Sequence, residues 1–248
     1  MAEYVGGYCE GPGKIFTQSL FAESATKKHR IGAIRTLDDG RVFAYAQAGA
    51  ALTAGYLNQA AVPDAYSPEC AVQAAAAVGD KHIHITYGAG ATATLNYYED
   101  GFLASVMPAY GIGTMYKVRG HAAMTSGATV QVNLYDSVLV ALTTDSKVSL
   151  TKHVQSGVIT SIATTPTGVI AGVSPIAVTS AYYFWNQVKG ICNVLLAGNA
   201  VVGENLVPGA VAGGLMPHAA VTEVVCGYCI KDATDTYGML VMLSVPGY

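Results

Sequence analysis

Apolar and polar positions along this chain alternate in short runs, each closed by glycine, proline or an acidic-glycine pair. Residues 29–55, HRIGAIRTLDDGRVFAYAQAGAALTAG, set the pattern. An apolar run at 31–37 reaches Asp38-Asp39-Gly40, and Val42, Phe43 and Tyr45 follow in near alternation before Gly49 and Gly55. An Asp-Gly pair between two such runs predicts a β-hairpin, because the turn needs positive φ where glycine supplies it without steric cost. Glu99-Asp100-Gly101 separates two later runs in the same way. Turns recurring roughly every 8–12 residues predict a sandwich or barrel.

The rest of the chain keeps this rhythm. Residues 82–87, HIHITY, read as a strand, and the alanine-rich 70–78 leans the same way although its propensity alone would allow a short helix. No stretch carries a capped 3.6-residue stripe, so helix is expected to be a minor component. The predicted fold is all-β: two barrel- or sandwich-like units of short antiparallel strands behind an extended N-terminal arm. Composition places the arm at 1–28, a first β domain at 29–142, a Thr/Ser/Gly/Pro-rich hinge at 143–179 and a second β domain at 180–248. Three segments share an aromatic residue followed by two glycines: Tyr45…Gly49…Gly55, Tyr116…Gly120…Gly127 and Trp185…Gly190…Gly198. Their irregular spacing excludes a solenoid.

Composition turns this architecture toward assembly. Of 248 residues, 52% are hydrophobic and only 12% charged, about half the usual charged share, so a monomer has too few charges to cover its surface. Burial against copies of itself or another protein is the expected remedy. The net charge of −3 and the lack of a basic cluster beyond Lys27-Lys28-His29-Arg30 argue against nucleic acid. With neither a signal-like N-terminus nor a run of about 18 apolar residues, no membrane partner and no secretion are expected. The 16 tyrosines suit interfaces or sugar platforms. Tyr97, Tyr182 and Trp185, with the arm aromatics Tyr4, Tyr8, Phe16 and Phe21, are the candidate interaction residues.

Candidate chemistry is sparse. Cys9, Cys70, Cys192, Cys226 and Cys229 are an odd, scattered set and are expected to be free thiols; the CGYC pair at 226–229 lacks the two further ligands of a zinc site. His82 and His84 share one face of a strand but have no third ligand nearby, and His29, His121, His153 and His218 are isolated. TSGAT at 125–129 is not a nucleophile motif, GAG at 88–90 and GIG at 111–113 lack the rest of a phosphate loop, and the paired carboxylates sit in turns. No catalytic residue, metal or cofactor is assigned.

The run at 24–55, SATKKHRIGAIRTLDDGRVFAYAQAGAALTAG, resembles a recurrent stretch of structural proteins of tailed-bacteriophage virions. Residues 86–120 and 182–207 resemble later portions of such proteins, anchored by G-x-G-x-x-Y at 111–116 and Trp-x-x-x-x-Gly at 185–190. The resemblance implies a capsid-decorating (cement) or minor head protein, β-rich and without enzymatic activity. It would be homo-oligomeric, often trimeric, made in the host cytoplasm and bound to the major capsid protein on the virion surface. A receptor- or carbohydrate-binding module of a head fibre, spike or tail is the alternative, with the tyrosine clusters as its platform.

Overall fold

A computed structural model describes residues 16–88, 90, 92–107, 111–162, 167–220, 223–232, 234–235 and 237–248. Among these the regular structure is entirely strand. The chain divides into two compact units, one running up to Val62 and resuming at Val154–Tyr248, the other Pro63–His153 inserted between those segments. The boundaries read from composition are therefore corrected. The first unit is discontinuous in sequence, and the span 143–179 is not a linker between two consecutive domains: it supplies three strands, one to the inserted unit and two to the other, with the boundary between the units inside it at His153 and Val154. Threonine and valine there are β-branched strand formers, and Pro175 follows β11 rather than interrupting it.

The outer unit begins with β1 (Ile34–Thr36), β2 (Val42–Ala48) and β3 (Leu57–Gln59). β1 and β2 pair antiparallel with Thr36 opposite Val42, so Asp38-Asp39-Gly40 forms the expected hairpin loop, with Gly40 at φ +83°. The inserted unit holds β4 (Cys70–Ala71), β5 (His82–Thr86), β6 (Phe102–Ser105), β7 (Met115–His121), β8 (Thr129–Leu134) and β9 (Lys147–Thr151). The chain then returns to the outer unit as β10 (Ser156–Thr160), β11 (Ile170–Val173), β12 (Tyr183–Leu195), β13 (Asn205–Pro208), β14 (Leu215–Pro217), β15 (Gly227–Cys229) and β16 (Gly238–Ser244).

The inserted unit is a six-stranded sheet in the order β4-β9-β6-β7-β8-β5. A bridge between Val72 and Ile85, with Gln73 N donating to His84 O, joins its two ends into a barrel. Ile83, Ile85, Tyr87, Tyr98, Leu103, Tyr116, Val118, Val132, Val148 and Leu150 fill it, as side chains must in a barrel of this size. Glu99-Asp100-Gly101 is a tight turn leading into β6, but the residues before it form no paired strand, so it does not repeat the 38–40 hairpin.

In the outer unit the sheet order is β1-β2-β10-β3-β11-β12-β16-β15-β13-β14, and β2 also pairs β12. That pairing closes β2, β10, β3, β11 and β12 into one ring. A parallel bridge from Leu196, just past β12, to Leu215 in β14 closes β12, β16, β15, β13 and β14 into a second. β12 thus belongs to both rings: its first half pairs β2 from Tyr183 to Lys189, and its second half pairs β16 from Lys189 to Leu195.

A bulge divides the two halves of β12. The register slips between Gln187 and Lys189, Gly190 takes φ +87°, and Gln187 Nε2 donates to Lys189 O (3.2 Å) and Ile191 O (2.8 Å). The positive φ needs glycine, and a Cβ there would lie 2.8 Å from the Arg41 Cα. The aromatic-glycine pattern has its physical reason here. Trp185 is a buried core residue and Gly190 is the bend after it; Tyr116 is likewise buried and followed by a register slip between Val118 and Gly120.

Candidate interaction surface

On β2 the alternation VFAYAQA places Ala44, Ala46 and Ala48 on one face and Phe43 and Tyr45 on the other. The small face, with Val158, Ala171 and Phe184, lines the first ring together with a buried amide chain. Within that chain Asn186 Nδ2 donates to Gln155 Oε1 (3.0 Å), and Gln155 Nε2 donates to Ala171 O (2.6 Å) and to the Tyr248 hydroxyl (3.1 Å). The aromatic face, Phe43, Tyr45 and Trp185, lies outside the ring and is covered by the chain's own residues 16–31, through Phe16, Leu20 and Ile31.

Gln18 anchors this cover. Its backbone carbonyl accepts from Trp185 Nε1 (3.2 Å), and its Oε1 accepts from the Tyr45 hydroxyl (2.8 Å). Its Nε2 donates to Tyr183 O (2.9 Å) and Ala22 O (2.8 Å). Phe16 meets Trp185 edge-on at 5.2 Å, and Tyr45 and Trp185 face each other as register partners 5.0 Å apart. Residues 16–28 are therefore a strap on their own barrel, not a free arm for a neighbouring subunit.

The candidate residues separate accordingly. Trp185, expected at an interface, is fully buried beneath the strap, which corrects that expectation. Phe16 and Tyr182 are half-buried, packed on core clusters of the outer unit. Tyr97 packs on the barrel core of the inserted unit, and Lys152 Nζ sits 3.6 Å over its ring, so one ring face is taken by a cation of the same chain. Phe21 alone of the five is well exposed, at 62%. Tyr4 and Tyr8 lie outside the described residues.

What the sequence reading missed is the outer face of the second ring. β16, GMLVMLS, buries Met239, Val241 and Leu243 and turns Leu240 (48% exposed) and Met242 (37%) outward. Met242 is opposite Ile191 (48%) on β12 and Tyr228 (46%) on β15. Ile230 (36%) donates its N–H to Leu240 O and so completes the face beside it. Five adjoining large apolar side chains on one outer sheet face make a patch on the order of a few hundred Å², the size of the largest patch on a typical soluble monomer, which is often functional. The visible signal was a strand apolar at successive positions, which is how a strand covered on both faces reads.

A second apolar region lies on the inserted unit. Its turns at 77–80, 111–114 and 138–142 converge: Gly79 N donates to Val138 O, Leu139 N to the Tyr116 hydroxyl, and Val140 packs over Gly111. They carry the exposed Val78, Ile112, Leu139 and Val140, with Met115 at the start of β7.

Several ionisable groups are built into packing. The Tyr87 and Tyr98 hydroxyls are 2.8 Å apart and Tyr98 donates to Asp64 Oδ2 (2.9 Å); burial, reinforced by these two partners, raises the Tyr98 phenol well above its ordinary range. His121 Nε2 accepts from Tyr98 N (3.0 Å) while Nδ1–H donates to Ala122 O, and burial lowers its pKa, so the ring is neutral. Cys70, Cys192, Cys226 and Cys229 are free and buried, with burial pushing Cys192 and Cys226 up to about 12. Such thiols are inert hydrophobes rather than nucleophiles or ligands. Among the described residues no group of three or more His, Cys, Asp or Glu side chains is arranged to hold a metal ion. Comparison with known protein families, with curated proteins and with solved structures finds no match to this chain.

Proposed function

We propose that this chain is a non-enzymatic structural protein of a phage virion that decorates the capsid and stabilises it by binding between shell subunits. The observation that carries the reading is the apolar face of Ile191, Tyr228, Ile230, Leu240 and Met242, set on a closed, disulfide-free β framework. A face held rigid by a filled ring beneath it loses little conformational entropy on docking, so its buried area converts efficiently into affinity. The scarcity of charge across the chain and the virion resemblance of residues 24–55 point the same way. The apolar turns of the inserted unit give the chain further surface for a neighbour, as a protein lying among several subunits requires.

The test mixes purified protein with shells that lack it. Saturable binding at a fixed copy ratio is expected, and Met242→Asp should weaken it about tenfold or more by placing a charge in the buried contact. Binding to cells or glycans with none to shells would overturn the reading in favour of a receptor-binding module.

A further inference from the structure

β5 carries His82 and His84 on the outer face of the inserted unit's barrel, while the intervening Ile83 and the following Ile85 are buried in its core. The two imidazoles stand 5.3 Å apart between ring centroids and nearly perpendicular, at 86°. Neither ring makes a hydrogen bond to any described residue. A nitrogen bound to zinc lies about 2.0–2.1 Å from the metal, which puts each ring centroid a little over 3 Å away. Two imidazoles on one tetrahedral ion then have centroids about 5 Å apart. The observed separation admits such a chelate, and it is also the spacing of an edge-to-face ring contact, so metal titration distinguishes the two.

The backbone holds this spacing. β5 is paired along its whole length with β8, and on its other side Val72 and Gln73 bridge to it. The face opposite is neutral: Asn133 is across from His82 and Gln131 from His84, and Gln131 Nε2 donates to Asn133 Oδ1 at 2.7 Å. The histidines are half-exposed, so water can fill the remaining coordination positions. Borderline-soft nitrogen ligands on an open face select zinc, nickel or copper rather than magnesium or calcium.

We propose that His82 and His84 form a two-histidine chelate for a divalent transition metal, with zinc as the best geometric match. The ion binds bidentately through one nitrogen of each ring and keeps open positions for water or for a donor from a neighbouring molecule. The site is independent of the apolar faces and stands whether or not the chain decorates a capsid.

The test is zinc titration of the chelator-treated full chain by calorimetry, with ring resonances followed by NMR. One equivalent of zinc should bind, shifting the His82 and His84 ring signals in the unmutated protein. His82→Ala and His84→Ala should each weaken binding about tenfold or more, because a chelate becomes a single contact, while His218→Ala leaves it unchanged. Circular dichroism confirms that the variants fold, as outward-facing substitutions should. Absence of zinc uptake at millimolar metal would overturn the proposal. So would uptake undiminished in both variants, or cobalt spectra showing a thiolate ligand.

Discussion

The two halves of β12 are one continuous strand with opposite fates. From Phe184 to Val188 every residue is buried, because the ring lies on one side and the strap of residues 16–31 on the other. From Lys189 to Val194 burial alternates, and the outer positions Lys189, Ile191 and Asn193 face solvent. The first half places aromatic residues outward, Trp185 beside Tyr45 and Tyr183, and the chain supplies their cover. The second half places Ile191 outward next to Met242 and Tyr228, and the described chain supplies none. A large apolar side chain on a sheet face is stable in water only at a cost of about 25 cal/mol per Å² left exposed. The contrast marks the second half as the face that the described residues leave uncovered.

The comparison breaks first at Trp185. Trp185→Ala should destabilise the isolated chain by about 3–5 kcal/mol, since it opens a cavity between ring and strap and leaves the Gln18 carbonyl without the indole N–H. Urea unfolding measures this, and a loss below about 1 kcal/mol would mean that the strap does not hold the first half. The bulge between the halves comes next. Gly190→Ala forces a side chain into positive φ and against Arg41, so a loss of about 1–3 kcal/mol is expected in the same assay. A neutral result would show that β12 can run through both rings without its bend.

The legible part of this fold was what a period-two pattern and turn residues encode locally. The hairpin at Asp38-Asp39-Gly40, the strand at 82–86 with both histidines on one face, and the all-β class follow from those signals. Domain limits did not, because β2 pairs β12 across 130-odd intervening residues that hold the whole inserted barrel, and no local signal records that closure. Trp185 was misplaced for a related reason. An aromatic cluster reads the same whether its cover is residues 16–31 of its own chain or another molecule. The buried amides Asn186 and Gln155 were invisible too, since a polar residue in a strand or a turn is ordinarily assigned to the solvent side.

The smallest effect on the isolated chain is expected in the second half, and its smallness is what sharpens the contrast. Leu240→Ser and Met242→Ser remove outward side chains whose inward neighbours Met239, Val241 and Leu243 keep the ring filled, so each should change unfolding free energy by no more than about 0.5 kcal/mol. Association should respond instead: self-assembly followed by light scattering, or shell binding, should fall with each substitution and fall further in the double variant. A patch that contributes nothing to folding yet controls association is an interface by definition of what it stabilises. If Leu240→Ser instead destabilised the isolated chain as Trp185→Ala does, the second half would be covered by its own chain, and the two halves of β12 would differ in sequence alone.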